Sequence, residues 1–338
     1  MTSQKVQTET VPHTPVLLQA VLDNLNPKPG CTYLDATVGA GGHTLGILES
    51  LSASIQASQE KDPKSSTPVL LGLDCDAEAL AIASARMDAA GFVNAVTFIQ
   101  DNFSNIHALD MAVRGQFFPI SGGVVADIGV SSMQLDTPER GFSFRNNAPL
   151  DMRMNTQADV TAAEIVNTYS EAQLVEIFSR YGEEHLSKTI ARQIVQNRKS
   201  TPYKTTTALA DCVISTYKKV GKNPGKVHPA TRVFQALRIA VNRELDALET
   251  FLNGLPRITQ SGARVVIISF HSLEDRLVKQ FFQRAAKACI CSSRLPVCQC
   301  NHQATFKVMT KKPVSATAEE IKENPRSRSA KLRCAERL

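Results

Sequence analysis

Five short apolar runs constrain what this chain can fold into. They are "TYLDA" (32–36), "VLLGLD" (69–74), "VTFIQ" (96–100), "GGVVADIGV" (122–130) and "ARVVIISF" (263–270). Each is rich in Val, Ile and Leu, and several end in a small or acidic residue, the pattern of buried strands. Helical sequence fills the gaps between the early runs. In "DAEALAIASARMDAAG" (76–91), Asp76 suits an N-cap and Gly91 a C-terminal stop. Strands alternating with helices predict an α/β fold around a parallel sheet.

The alternation fails from about residue 158 to 227, where the pattern is mainly helical. "GKNPGKVHPA" (221–230) interrupts it with Gly and Pro. Leu237, Val241, Leu245, Leu248 and Leu252 then share one face of a predicted long helix. The sheet resumes at Arg264, so a helical domain is inserted into the α/β domain. The expected division is 1–145 for the first part, 146–227 for the insert and 228–338 for the second part. A polar stretch, 52–68, reads as a surface loop.

Charge follows the same division. The chain carries +6 overall, yet between Arg180 and Arg243 thirteen Lys and Arg face three Asp and Glu (Glu183, Glu184, Asp211). Such a block suits a polyanion, RNA or DNA, although a solubilising helical surface has the same composition. No apolar run approaches membrane-spanning length. The polar "MTSQKVQTETVPHTP" lacks the apolar core of a signal peptide. A cytoplasmic location with no membrane partner is therefore expected, with the 8 cysteines as thiols or metal ligands.

The first strand runs into "DATVGAGGH" (35–43). Glycines there let the backbone turn sharply and approach a ligand, and the following helix presents free N–H groups. Alone, Gly39-x-Gly41-Gly42 would suit a dinucleotide, another adenosyl cofactor or no ligand. Asp74 ends the second strand, where an acidic residue accepts ribose hydroxyls; its spacing from the glycines exceeds the usual dinucleotide fingerprint. Phe103, beyond the third strand, can stack on an adenine or plug the core. Asp127 ends the fourth strand and leads into the tight turn "DIGVSS" (127–132). A dehydrogenase would place a hydride-handling His, Lys or Tyr there. Acceptors and a tight loop instead suit transfer of a methyl group to an amine. The turn also lacks the aromatic-containing D/S-P-P-Y pattern of DNA amino-methyltransferases.

Near the C-terminus, "CICSSRLPVCQC" (289–300) holds Cys289, Cys291, Cys298 and Cys300. Two C-x-C pairs across a Pro-containing turn can surround a tetrahedral structural zinc, or can be four reduced thiols.

Together, "HTPVLL" (13–18), "DATVGAGGH", "DIGVSSMQLD" (127–136), "ERGFSF" (139–144), "PLDMRM" (149–154), "YGEE" (181–184), "HPATRVFQALRIAVN" (228–242), "ISFHSLEDR" (268–276) and "NPRSRSAKLR" (324–333) closely resemble the RsmH (MraW) family. Its members are S-adenosylmethionine-dependent methyltransferases of a cytosine N4 amine in small-subunit (16S) ribosomal RNA. The resemblance implies a Rossmann-like class I methyltransferase fold with an inserted helical, substrate-recognising domain. It implies cofactor contacts at Gly41, Gly42, His43, Asp74, Phe103, Asp127 and Gln134. The implied target is a cytidine near the decoding centre, in RNA of the assembled or assembling 30S subunit. Asp127 is the candidate catalytic residue, as acceptor for the amine hydrogen, or else a ligand for the donor's methionine end. Arg140, Phe142, Phe144 and Arg145 could hold a base or pack as a supporting loop. Ala36 and Ile128 replace residues common in the family, Gly and Leu, both mild changes.

Overall fold

The computed structural model describes residues 15–58, 69–112, 117–223, 225, 227–291 and 297–338. All five apolar runs form strands: β1 Thr32–Asp35, β2 Val69–Asp74, β3 Val96–Gln100, β4 Gly123–Asp127 and β5 Arg264–Ser269. Two more, β6 Phe306–Val308 and β7 Lys331–Arg337, complete a sheet of order β3-β2-β1-β4-β5-β7-β6. The first five strands pair in parallel; β7 runs antiparallel to both β5 and β6. This is a doubly wound, Rossmann-like arrangement. The order reverses beside β1, so the crevice of an open α/β sheet lies where β1 and β4 diverge.

The chain divides into two compact units, one comprising Met1–Ile128 with Leu252–Leu338 and the other Gly129–Phe251. In the first, Tyr33, Leu48, Val125, Val266 and Leu332 belong to one core between the sheet and its helices. Parallel strands buried on both faces need such continuous apolar runs. Asp76 caps helix Ala77–Ala89, its side chain accepting from the Glu78 N–H. Residues 52–58 belong to helix Gly42–Ser58 rather than to a loop; 59–68 lie outside the described residues.

The second unit has its own core, in which Leu174, Phe178, Ile190, Leu209, Val213 and Leu237 are buried. Helices Glu171–Arg180, Ser187–Asn197, Thr206–Val220 and Ala230–Asn242 supply most of it. The unit starts earlier and ends later than 146–227, because Phe142 and Leu237 pack into the same core. The long helix expected through 237–252 is two helices, Ala230–Asn242 and Glu244–Ile258. Arg243, at φ 50°, breaks it with a left-handed turn. Apolar spacing continues across the break because both helices bury a face, which hides the break from periodicity. Arg238 spans it with a bidentate pair to Glu244, at 2.9 and 2.8 Å.

Removing a buried aromatic ring leaves a cavity costing about 3–5 kcal/mol, whereas a half-exposed side chain costs within about 0.5 kcal/mol. Phe178→Ala, at 0% exposure, is expected to lower the denaturation midpoint strongly. Ile82→Ala, at 45%, is expected to leave it nearly unchanged. Equal shifts in thermal or urea melts would contradict this placement of the helical core.

Candidate active site

Three neighbouring strands end in carboxylates: Asp35 on β1, Asp74 on β2 and Asp127 on β4. Their surroundings differ. Asp35 is fully buried; its Oδ1 accepts from the Thr37 N–H at 3.1 Å and its Oδ2 from the Thr44 hydroxyl at 2.7 Å. Thr37 in turn accepts the Asp127 N–H on its own hydroxyl at 2.6 Å. Burial raises the Asp35 pKa, with His43 and the hydrogen bonds opposing the rise.

Asp74 reaches back into the glycine loop. Its Oδ2 accepts the Gly39 N–H at 2.8 Å and its Oδ1 the Asp76 N–H at 2.9 Å. These contacts leave lone pairs on both oxygens, since a carboxylate offers about four acceptor sites. Burial pushes this carboxyl up to about 6, against the pull of the two N–H donors.

The loop glycines divide by task. Gly39 and Gly41 have positive φ, at 52° and 76°. A side chain on Gly41 would meet Ala83 Cβ at 3.1 Å, and one on Gly42 would meet Pro15 Cβ at 3.0 Å. Those two glycines therefore let the loop press against its own fold. At Gly39 a Cβ would meet nothing within 4 Å, yet the φ still favours glycine. Sequence reasoning singled out Gly41 and Gly42 and passed over Gly39, whose tie to Asp74 is a long-range contact with no local signal.

His43 is buried at the start of helix Gly42–Ser58. Its Nε2 lies 2.9 Å from the Val16 carbonyl, and its Nδ1 lies 3.8 Å from Asp127 Oδ2. A carbonyl only accepts, so Nε2 carries the hydrogen of this contact. The ring packs against the protein's own chain, which leaves the backbone of the loop rather than the imidazole for outside contacts.

Asp127 keeps 24% of its side-chain exposure, yet its Oδ1 is enclosed with no hydrogen-bond partner among the described residues. Burial pushes its carboxyl up to about 6, opposed by His43 and reinforced by Asp35 and Glu274. A buried acceptor left unpaired costs on the order of 1–3 kcal/mol, so a donor from an incoming molecule is strongly favoured there.

The remaining sequence candidates are placed as follows. Phe103 opens a 3-10 turn, Phe103–Asn105, after β3 and is half-buried. Gln134 lies in the other unit and is buried; its Oε1 accepts from the Ser131 N–H at 3.2 Å and its own N–H reaches the Ser131 hydroxyl at 3.2 Å. Arg140 donates to the Arg153 and Met154 carbonyls, at 3.1 and 2.8 Å. Phe142 is buried, and Phe144 stacks on His228 at 4.5 Å. These three residues hold a packed loop together; Arg145 is exposed. His271 caps helix Ser272–Ala285, its ring accepting from the Glu274 N–H in a capping box. The Glu three residues on pairs with the residue before the serine, a register that sequence alone leaves ambiguous. The four cysteines of 289–300 do gather, with their sulfurs all within 4.8 Å of one another.

A model of the MraW methylase family matches residues 10–338. The ribosomal RNA small subunit methyltransferase H of Dehalococcoides mccartyi (strain ATCC BAA-2266 / KCTC 15142 / 195) is 45% identical over 327 residues, covering 97% of this chain and 87% of that protein. The protein of the same name from Heliobacterium mobile is 44% identical, over 96% of this chain and 99% of its own. That of Clostridioides difficile (strain 630) is 41% identical, again over 96% and 99%.

The raised Asp127 carboxyl makes a stability prediction. Its folded pKa, about 6, lies above the ordinary value of 3.8. Between those values the folded chain binds more protons than the unfolded one, so this group's contribution to stability falls as pH rises through the window. Asp127→Asn removes that cost. The variant should melt above the wild type at pH 8, by at most about 3 kcal/mol at ~1.4 kcal/mol per pKa unit. The gap should close near pH 4. A gap independent of pH in thermal melts would contradict the assignment.

Proposed function

The chain belongs to the MraW methylase family, and from that premise we propose that it transfers a methyl group from S-adenosylmethionine to the N4 amine of a cytidine in 16S ribosomal RNA near the decoding centre. The observation that carries this reading is the coincidence of a family match over nearly the whole chain with an unpaired, buried acceptor, Asp127 Oδ1, beside the sheet's crevice.

The residues at the strand ends fit such a donor. Asp74 retains acceptor capacity for the ribose hydroxyls, and the loop around Gly39, Gly41 and Gly42 brings backbone close to the crevice. Phe103 lies beyond β3, where an adenine would stack, and Gln134 follows the turn after Asp127. When bound, S-adenosylmethionine supplies an electrophilic methyl whose bond to sulfur breaks as the bond to N4 forms, leaving S-adenosylhomocysteine and one proton. The protein's part is alignment, which can supply much of the rate.

Cytosine's N4 lone pair is delocalised into the ring, so the amine is a poor nucleophile. Asp127 accepts one amine hydrogen and helps localise the pair as the new bond forms. That interaction strengthens in the transition state, which is what accelerates chemistry. The ionised carboxylate is the stronger acceptor, so activity should fall below about pH 6, where the Asp127 carboxyl takes up a proton. The base reaches the site unstacked, from a single-stranded or opened region.

The helical unit supplies the grip on the RNA backbone. Lys188, Arg192, Lys199, Lys204, Lys218, Lys219 and Lys222 are all exposed on it. Contacts of that kind position the substrate and are salt-dependent.

Three measurements test the reading. Small-subunit rRNA from a deletion strain should lack one cytidine methyl by mass spectrometry; an unchanged methylation pattern would overturn the assignment. Asp127→Ala should abolish turnover in a folded protein, with donor affinity changed by no more than a few-fold. A loss confined to donor affinity would instead assign Asp127 to the donor's methionine end. Reversing Lys218 and Lys219 to Glu should weaken RNA binding and flatten its salt dependence, each lost phosphate contact removing nearly one unit of the log–log slope. Unchanged RNA affinity at low salt would remove the basic unit from recognition.

A further inference from the structure

Between helix Ser272–Ala285 and β6 the chain leaves the body of the sheet unit and returns. The two ends of this excursion are tied together: the Thr305 N–H donates to the Ala285 carbonyl at 2.8 Å, and His302 Nε2 lies 3.2 Å from the Arg284 carbonyl. No described residue of 286–304 is buried, and Ile290 and Val297 are 38% and 68% exposed. Described residues that bury no apolar side chain of their own call for another kind of staple.

The four cysteines stand where that staple belongs. Cys289 and Cys298 sulfurs are 3.4 Å apart, Cys298 and Cys300 3.6 Å, and Cys300 and Cys289 3.7 Å. Four thiolates at about 2.3 Å from a tetrahedral zinc lie about 3.8 Å from one another, close to these separations. A disulfide would require about 2.05 Å, and all four cysteines are free. Backbone N–H groups also point at the sulfurs. Ile290 donates to Cys300 at 3.4 Å, Cys291 to Cys289 at 3.4 Å and Gln299 to Cys291 at 3.3 Å. Such donors stabilise thiolates, the form that binds metal.

We propose that Cys289, Cys291, Cys298 and Cys300 hold one structural zinc ion that organises the 286–304 lobe. Binding releases the protons of those thiols that are still protonated, and no electron is transferred. All four positions are taken by thiolates, so the ion has no place for water or substrate, and its role is to hold the lobe closed. The site lies outside the strand-end carboxylates and does not depend on the proposed methyl transfer.

The test is elemental analysis of the full-length chain, purified reduced and without chelator. One zinc per chain is expected. Cys289→Ser combined with Cys298→Ser should lose it, while Cys31→Ser, remote from the cluster in sequence, should keep it. Stripped wild-type protein titrated with cobalt(II) alone should develop the visible bands of a tetrahedral thiolate complex, saturating at one equivalent. Chelation should speed proteolysis within 286–304 while leaving the main melting transition in place. Iron in place of zinc, sub-stoichiometric zinc after reconstitution, or full zinc in the double variant would each overturn the proposal. The cobalt titration uses unaltered protein, so a misfolded variant cannot rescue or sink the idea.

Discussion

The sheet edge is organised around one buried carboxylate. Asp35 ends β1 with no exposure, and its two oxygens fix the first residue pair of the loop and the start of the next helix through Thr37 and Thr44. Thr37 passes the constraint on to β4 by accepting the Asp127 N–H. Three short contacts thus connect β1, the glycine loop, helix Gly42–Ser58 and β4. A second clamp, Gly39 to Asp74, adds β2. In a low-dielectric setting an ionised acceptor holds such donors firmly, and losing one partner would leave a buried polar group uncompensated. The loop's geometry is thereby set by hydrogen bonds from two strand ends, with glycine used where φ turns positive or where a Cβ would crowd Ala83 or Pro15.

Much of this was legible in the sequence because it is local. Runs of Val, Ile and Leu ending in Asp mark β1, β2 and β4, since strands buried on both faces tolerate little else. Asp76 as a cap and the Gly/Pro break near 221–230 also act within a few residues. What escaped notice is either short or long-range. β6 spans only Phe306–Val308, and the β7 segment, "KLRCAER", mixes Lys, Arg and Glu with its apolar residues. It pairs with β5 on one side and β6 on the other, so its charged ends need not spoil the strand. The break at Arg243 was hidden because both flanking helices keep the same apolar spacing. Around the strand ends, residue types pointed to Asp74 and Asp127, but only coordinates show that His43 spends its ring on Val16.

Three carboxylates at one sheet edge are costly, and the way each is satisfied separates their roles. Asp35 is fully buried with both oxygens engaged, which is the condition of a scaffold, whereas Asp74 has both oxygens engaged by backbone donors and keeps acceptor capacity to spare. Asp127 has one oxygen near His43 and the other enclosed without a partner among the described residues. A fold shaped for stability alone would leave no buried acceptor idle, since pairing it recovers about 1–3 kcal/mol. Strain and unsatisfied polarity persist where a partner arrives from outside. Among the three, Asp127 is therefore the carboxylate with an oxygen still open to an incoming donor.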